Sequence, residues 1–154
     1  MFTIRIANPN DIENLCALDA IAQQDERRKA FIVRSIGSGS GYVLEDKKQA
    51  AGYGVLEYSF YEQGFVSMLY ISAAYRRQGA GLQLMQHLES QCKTEKLFTS
   101  TNLSNLGMQA LLAKMEYILS GVIHHLDEND PELVYVKYLK AGGQAAQDKP
   151  PQHA

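Results

Sequence analysis

The sequence predicts an α/β (α+β) fold, in which a mixed, mostly antiparallel sheet is flanked by helices. Strand patterns separated by short turns fill residues 42–72, as in an antiparallel meander. Two segments with helical spacing, at 82–92 and 105–115, enclose a short strand at 97–100. This order of strand, helix, strand and helix implies a crossover connection.

The first part of the chain predicts one strand and two helices. Residues 2–6 alternate apolar and polar side chains, the pattern of a half-buried strand. Residues 8–11 supply a cap, a proline at the first helical position and an acidic first turn, so a helix should follow to about Gln24. A second helix is predicted from Asp25 to about Ile36. The Gly and Ser residues of 37–41 precede no helical pattern, which favours a flexible connection over a phosphate cradle.

Later strands and the end of the domain are also readable. Strands are predicted at 42–45, 49–60, 65–72, 97–100, 118–126 and 133–138. Everything after Lys140 is rich in Ala, Gly, Gln and Pro and has no periodicity. We therefore expect a single domain over residues 1–140 and a disordered tail over residues 141–154.

Composition restricts the class of function. A chain of 154 residues with 45% hydrophobic content suffices for one well-buried core. Its net charge of -2 provides no basic field for nucleic acid. It has no signal-peptide core and no apolar stretch near the roughly 20 residues that span a membrane, so we expect a cytoplasmic protein without a membrane partner. Cys16 and Cys92 have neither metal-ligand nor disulfide-framework spacing, so no metal site is predicted.

A glycine loop between a strand and a helix is the most informative motif. The apolar run Leu69-Tyr70-Ile71 precedes Arg76-Arg77-Gln78-Gly79-Ala80-Gly81, and a helical pattern opens at Leu82. Two closely spaced glycines at a helix start leave backbone N–H groups bare, where the helix dipole and neighbouring arginines favour an anion. The loop is therefore a candidate seat for a diphosphate.

Two common phosphate loops do not fit this sequence. A P-loop requires Lys and Ser or Thr after its last glycine, and a dinucleotide fingerprint requires a third Gly or Ala where Leu84 stands. Nucleoside triphosphates and NAD are therefore disfavoured as ligands. The form Arg-x-x-Gly-x-Gly after a strand instead resembles the pyrophosphate loop of the GNAT family of N-acetyltransferases, which bind acetyl-coenzyme A.

A second segment, residues 105–117, resembles the other signature of that family, an asparagine followed by a helix and an aromatic residue. Five positions fit this template: Asn105, Leu111, Lys114, Met115 and Tyr117. Two positions depart from it, with Leu112 where the family usually has tyrosine and Glu116 where it usually has glycine.

The resemblance spans about residues 2–139 and implies a seven-stranded sheet with about four helices. The implied order is one strand, two helices, three strands, a helix, a strand, a helix and two strands. It also implies a site for acetyl-CoA in which the backbone of Leu69, Tyr70 and Ile71 pairs with the pantetheine amides. Asn105 would face the cofactor, with an ordinary N-cap or turn residue as the alternative, and Asn102 is a weaker candidate of the same kind. The diphosphate would be wrapped by Arg76, Arg77, Gln78, Gly79, Ala80, Gly81 and Leu82.

Acetyl transfer to an amine requires a base, because an alkylamine has a pKa of about 10.4 and is protonated at neutral pH. Glu57, in the predicted strand 49–60, is the candidate base, and a solvated outward-facing glutamate is the alternative. Four tyrosines are candidates for holding water or lining the substrate: Tyr53, Tyr58, Tyr61 and Tyr70. The family commonly uses a tyrosine to protonate the departing thiolate. Leu112 cannot donate a proton. The thiolate must therefore be protonated by another group or by water, or leave without a proton.

The last hairpin bears on the acceptor. His124 and His125 are consecutive in a predicted strand, so their side chains should point to opposite faces and cannot hold a metal together. The acidic connection at residues 127–132 would suit a cationic acceptor if it borders the cleft, and a solvated hairpin loop is the alternative.

The sequence thus predicts an acetyl-CoA-dependent N-acetyltransferase that acts on a primary amine of a small molecule or peptide by direct attack in a ternary complex. A non-catalytic acyl-CoA-binding or regulatory module is the alternative, motivated by Leu112. A nucleotide-binding module that uses the glycine loop alone is a third reading. The final strands are candidates for a homodimer surface, and no motif identifies the acceptor.

Overall fold

The structure is a computed structural model, and it describes residues 1–139. Within this range the elements follow the order that the family resemblance implies. The strands are β1 Phe2–Ile6, β2 Gly41–Asp46, β3 Gln49–Phe60, β4 Gln63–Ile71, β5 Lys96–Asn102, β6 Ile118–Ile123 and β7 Glu132–Tyr138. The helices are α1 Ile12–Leu18, α2 Glu26–Gly37, α3 Ala80–Gln91 and α4 Leu106–Lys114. The predicted disordered tail, residues 141–154, lies outside the described residues.

The strands form one sheet in the order β1-β2-β3-β4-β5-β7-β6. Strand β2 pairs antiparallel with β1 and with β3, and β7 pairs antiparallel with β5 and with β6. The sheet order departs from the chain order only where β7 lies between β5 and β6. This mixed, mostly antiparallel architecture confirms the predicted fold class.

The described chain packs as two compact units. Residues 1–57 and 66–91 form the first unit, and residues 58–65 and 92–139 belong to the second. The single domain over residues 1–140 stays a prediction. Over residues 1–139, none of the helices combines the length and the apolar character that a membrane crossing requires.

The first helical region opens with a capping box. The Asn8 side chain accepts the backbone N–H of Asn10 at 2.9 Å, and the Asp11 carboxylate accepts the backbone N–H of Asn8 at 2.8 Å. Arg5 holds Asp11 from the neighbouring strand through two 2.9 Å hydrogen bonds. The predicted cap at residues 8–11 is therefore present.

Helix α1 is shorter than predicted. It ends at Leu18, whereas the sequence pattern predicted an end near Gln24. The cause is Asp19, whose buried carboxylate accepts the backbone N–H groups of Ile21 at 2.9 Å and Ala22 at 3.2 Å. These side-chain bonds replace helical ones and turn the backbone out of the helical path.

Two glycines of β3 allow close packing on one face of the sheet. A Cβ atom on Gly52 would lie 2.5 Å from the carbonyl oxygen of Tyr70, and one on Gly54 would lie 3.0 Å from Leu88 Cδ1. With no side chains there, β4 and α3 come directly against β3. Leu84 and Leu88 of α3 are fully buried as a result.

The first unit also has a hydrophobic cluster that joins α1 and α2 to the sheet. Met68 and Tyr70 of β4 pack against this cluster while remaining half-buried. Its buried members are Ala7, Leu15, Ala22, Ile32, Ile36, Val43, Tyr53 and Val55.

The second unit buries one face of β7 together with α4. Its buried apolar residues are Leu97, Leu112, Met115, Tyr117, Val134 and Val136. Strand β6 ends at Ile123, whereas the sequence predicted a strand to Leu126. His125 has a φ of 77°, in the left-handed region, so the extended strand cannot continue through it. The argument that consecutive strand positions separate His124 from His125 is therefore wrong, because both lie after the strand.

Candidate functional site

The predicted glycine loop joins β4 to α3 in the first unit. After Ile71, the backbone N–H of Ser72 donates to the carbonyl of Ala51 at 2.9 Å, which fixes the end of β4 on β3. A 3₁₀ turn over Ala73–Tyr75 follows, and the loop leads into α3 at Ala80, two residues before the predicted helix start.

Backbone conformation explains the glycine at position 79. Gly79 has a φ of 82°, and Arg77 has a φ of 62° two residues earlier. A Cβ on Gly79 would meet no atom within 4 Å. Glycine is therefore favoured by the left-handed backbone rather than by crowding within the chain. The space above Gly79 is open to a ligand.

The start of α3 presents backbone donors. The N–H of Gln83 donates to the carbonyl of Gly79 at 3.0 Å. Within residues 1–139, the N–H groups of Gly79, Ala80, Gly81 and Leu82 have no recorded acceptor. Such N–H groups and the positive end of the helix dipole favour an anion. This segment therefore offers backbone donors to an anion, and its role toward a diphosphate stays a prediction.

The two arginines of the loop differ in how they are held. Arg76 donates from Nε to the carbonyl of Ile71 at 2.9 Å, and its guanidinium carbon lies 5.8 Å from the centre of the Tyr70 ring. Gln78 donates from its side chain to the carbonyl of Ala74 at 3.1 Å. Arg77 is exposed, and within the described chain its side chain has no recorded partner. Arg76 is thus oriented by its neighbours, whereas Arg77 is free to follow a ligand.

Glu57, the candidate base, is half-buried on β3. The hydroxyl of Ser67 on β4 donates to its Oε2 atom. The carboxylate is therefore oriented by a neighbouring strand and still partly accessible, which is compatible with accepting a proton.

The candidate tyrosines have other partners. Tyr53 donates to Asp19 at 2.6 Å, and the hydroxyl of Tyr70 accepts the backbone N–H of Ala20 at 3.1 Å. Tyr58, in the second unit, accepts the backbone N–H of Lys93 at 3.0 Å. Tyr61 is 83% exposed. Tyr53 and Tyr70 therefore hold the segment after α1 against the sheet.

Asp19 is a buried polar centre that the sequence reasoning missed. Its Oδ2 atom accepts the Tyr53 hydroxyl and the Arg28 guanidinium, the latter at 3.1 Å, and its Oδ1 atom accepts two backbone N–H groups. Burial, followed by the hydrogen bond to Asp19, raises the pKa of Tyr53 well above its usual range. The only sequence signal was an aspartate inside an apparently helical pattern.

The two predicted asparagines lie in the second unit and have structural partners. Asn102 ends β5 and donates to Asp127 Oδ2 at 2.9 Å and to the carbonyl of Asp130 at 3.3 Å. Asn105 is the N-cap of α4, because its Oδ1 atom accepts the N–H of Met108 at 3.0 Å. Their roles toward a cofactor stay predictions.

Leu112 and the acidic connection are also in the second unit. Leu112 is fully buried in α4. Asp130 accepts the hydroxyl of Ser104 at 2.6 Å, and Glu132 accepts that of Ser100 at 2.6 Å. Together with the bond from Asn102 to Asp127, these contacts fix the connection between β6 and β7 to the end of β5. Most of the predicted acidic surface therefore has an internal structural role.

Comparisons with known proteins agree on one family. A family model described as the Acetyltransferase (GNAT) family matches residues 9–117. A GNAT-family acetyltransferase from Bacillus cereus ATCC 10987 has a similar structure, with a TM-score of 0.84 and 27% identity over 90% of this chain and 98% of the other. A search of curated proteins finds no match.

Two more distant structures show the same fold. The ribosomal-protein-alanine N-acetyltransferase from Brucella melitensis has a TM-score of 0.73 and 19% identity, over 89% of this chain and 99% of the other. Arabidopsis thaliana NAA60, solved with a bisubstrate analogue, has a TM-score of 0.72 and 14% identity, over 94% of this chain and 100% of the other.

Proposed function

The chain belongs to the GNAT family of acetyltransferases, and from that premise we propose that it is an acetyl-CoA-dependent N-acetyltransferase acting on a primary amine of a small molecule or peptide. The supporting observation is the start of α3, where Gly79 holds a left-handed φ of 82° and the next N–H groups have no recorded acceptor within the described chain. This segment matches the chemistry of a diphosphate. Acetyl-CoA supplies a diphosphate and an activated acyl thioester.

We assign acetyl-CoA binding to two consecutive segments of the first unit. The backbone of Leu69, Tyr70 and Ile71 would accept and donate hydrogen bonds to the amides of the pantetheine arm. The segment from Arg76 to Leu82 would hold the diphosphate with N–H groups and guanidinium groups. Asn102 and Asn105 are further candidates by family resemblance.

Transfer by direct attack requires a neutral amine. Glu57 would take the proton from the ammonium form, directly or through one water, and the Ser67 hydroxyl would keep the carboxylate oriented. The amine then forms the C–N bond of the amide while the C–S bond of the thioester breaks. In a ternary complex both steps occur without an acyl-enzyme.

The leaving thiolate receives no proton from Leu112, which is apolar and fully buried. A comparable thiol has a pKa of about 8.5, so its thiolate is a tolerable leaving group near neutral pH. The presence of leucine at position 112, where the family usually has tyrosine, favours the second candidate function, a non-catalytic acyl-CoA-binding or regulatory module.

A thermal-shift titration tests the cofactor first. Acetyl-CoA and CoA at about 100 times their dissociation constants should each stabilise the protein by roughly 2.7 kcal/mol, whereas ATP and NAD should not. Stabilisation by ATP or NAD that CoA competes away would instead support a nucleotide-binding module. The absence of a response to acetyl-CoA and CoA would contradict the loop assignment.

Release of free CoA then tests catalysis on a panel of amines, amino acids, polyamines and peptides. Peptides with an N-terminal alanine belong in the panel because of the name of the Brucella neighbour, although at 19% identity that likeness shows the fold alone. Turnover of any member supports the enzyme. Tight acetyl-CoA binding without turnover of any of them would favour the regulatory module. A cytoplasmic location stays a prediction.

A further inference from the structure

Arg28 on α2 is a mostly buried arginine that uses only part of its hydrogen-bonding capacity. Its side chain is 17% exposed. One nitrogen, Nη1, donates to Asp19 Oδ2 at 3.1 Å and lies 3.6 Å from the sulfur of Met68 on β4. A guanidinium has five N–H donors. The three donors on Nε and Nη2 have no recorded acceptor over the described residues, so one edge of this guanidinium is left open.

Asp19 cannot satisfy the donors of the open edge. Its Oδ1 atom accepts the backbone N–H groups of Ile21 and Ala22, and its Oδ2 atom accepts the hydroxyl of Tyr53 besides the guanidinium. These four bonds use the roughly four lone-pair positions of a carboxylate. Within residues 1–139, every fully buried side-chain nitrogen or oxygen has a hydrogen-bond partner. Because Nε and Nη2 of Arg28 lack one, solvent must reach them.

The open edge of Arg28 matches the shape of a carboxylate. The N–H of Nε and one N–H of Nη2 run parallel, and such a fork binds both oxygens of a carboxylate at once. Asp19 balances the charge of Arg28, so directed hydrogen bonds, rather than a net positive field, select the ligand. A planar carboxylate is therefore the group that fits this edge.

Consecutive residues of β4 connect this guanidinium to the groups proposed for catalysis. Met68, which contacts the guanidinium, packs against the hydrophobic cluster under α1 and α2. Glu57 lies two residues beyond Val55, a buried member of that cluster, so strand alternation puts the Glu57 side chain on the same face. Ser67, the residue before Met68, donates to the Glu57 carboxylate. Leu69, the residue after it, belongs to the segment assigned to the pantetheine arm.

We propose that Arg28 binds a carboxylate of the acceptor, so that the substrate is an amine that also carries a carboxylate, as a free amino acid does. This inference rests on the proposed function, because it names the acceptor class of the same site. Nε and Nη2 donate to the two carboxylate oxygens while the amine faces Glu57. Asp19 fixes the guanidinium through Nη1. Arg28 therefore determines specificity and takes no part in the proton transfer.

Pairs of acceptors that differ only in the carboxylate test the proposal on the unmodified chain. Each common amino acid is compared with its decarboxylated amine, such as phenylalanine with phenethylamine, after correction for the neutral fraction of each amine. The best amino acid should have a kcat/KM about 10- to 100-fold higher than its decarboxylated counterpart, since a charge-assisted fork is lost in the amine. Turnover of the amines with no preference for any amino acid would overturn the proposal and leave the proposed function intact.

Arg28→Lys keeps a positive charge beside Asp19 but has no fork. It should raise the KM for the best amino acid by about 10- to 100-fold, whereas kcat/KM for the decarboxylated counterpart and the thermal shift with acetyl-CoA should stay close to those of the parent. Arg27→Lys is the matched control, because the Arg27 side chain is 94% exposed, and it should change none of these. Equal losses for both acceptors in Arg28→Lys would show a structural role alone and overturn the proposal.

Calorimetric titration of the CoA-bound full chain needs neither turnover nor a variant that folds. The amino acid should bind at least about tenfold more tightly than its decarboxylated counterpart. That result would support the carboxylate site even if no amine were acetylated, so a failure of the proposed function is distinguishable from a failure of this inference. Equal affinities, or no binding of any amino acid, would overturn it.

Discussion

The hydroxyl of Tyr53 donates a 2.6 Å hydrogen bond to Oδ2 of Asp19, and both side chains are buried. The bond joins the centre of β3 to the residue that ends α1. Arg28 from α2 binds the same carboxylate oxygen at 3.1 Å. One carboxylate thus holds the two helices and the turn between them on the sheet.

Tyr53→Phe should lower the free energy of unfolding by about 1–3 kcal/mol, because it leaves a buried carboxylate oxygen with one donor fewer. Asp19→Asn should cost more, about 3–5 kcal/mol, because it also leaves Arg28 without its counter-charge. Urea unfolding measures both. Tyr61→Phe, at an exposed position, is the control and should change stability by less than about 0.5 kcal/mol. A Tyr53→Phe variant as stable as the parent would contradict a structural role for this bond.

Gly79→Val should abolish acetyl-CoA binding, because its side chain would fill the open space over the loop and strain a left-handed backbone. The strain alone should cost about 1–2 kcal/mol of stability. Gly39→Val is a matched control, since Gly39 has a φ of 77° and also has no atom within 4 Å of its Cβ position. Both variants should lose similar stability, but only the first should lose the ligand-induced thermal shift. Equal acetyl-CoA affinity in the two variants would refute the loop assignment.

Glu57→Gln should reduce kcat at neutral pH by about 10²–10⁴-fold, because the amide cannot accept the proton of the amine. Its affinity for acetyl-CoA should stay close to that of the parent. Glu62→Gln, at an exposed turn, removes the same charge and should not change kcat. Rate profiles across pH, together with isothermal titration of acetyl-CoA, separate the two effects. A parental pH–rate profile in Glu57→Gln would remove this residue from the site.

His87 should make the fold sensitive to mild acid. Its ring packs edge-on against Tyr42, with centroids 5.5 Å apart, and burial lowers the pKa of His87 below its usual value of 6.5. The unfolded chain therefore binds a proton that the folded chain resists, so stability should fall as the pH drops below 6.5 toward the folded pKa. In His87→Gln this part of the decline should disappear from urea unfolding curves. An unchanged decline would show that other groups cause it.

The features predicted correctly from the sequence are those that depend on neighbouring residues, such as strand bounds and helix caps. The strand predicted at residues 49–60 has the bounds of β3, and Asp25 caps α2 by accepting the backbone N–H of Arg27 at 2.9 Å. The role of Asp19 could not be predicted, because its partner Tyr53 lies 34 residues away in the sequence and helical periodicity carries no information about such a contact. The end of β6 before His125 could not be predicted, because the amino-acid sequence does not reveal a left-handed φ at a non-glycine residue.

In the candidate site, too, contiguous residues could be predicted from the sequence, whereas contacts between distant residues could not. The strand, glycine loop and helix of residues 69–82 are contiguous, so their arrangement could be predicted from the sequence. The orientation of Arg76 could not, because it depends on a carbonyl and a ring that only the folded end of β4 presents together. Asn102 is similar, since its acceptor Asp127 is 25 residues away.

Gly52 and Gly54 of β3 differ in how readily each could be replaced by a larger residue. A methyl group at position 52 would meet the carbonyl oxygen of Tyr70 at 2.5 Å, and a main-chain atom cannot rotate aside. At position 54 the obstacle is the tip of Leu88, which a shorter side chain would remove. Alanine at position 54 can therefore be accommodated if the Leu88 side chain shifts or is replaced by a smaller one. Position 52 has no such route, and its glycine should outlast changes throughout the surrounding core.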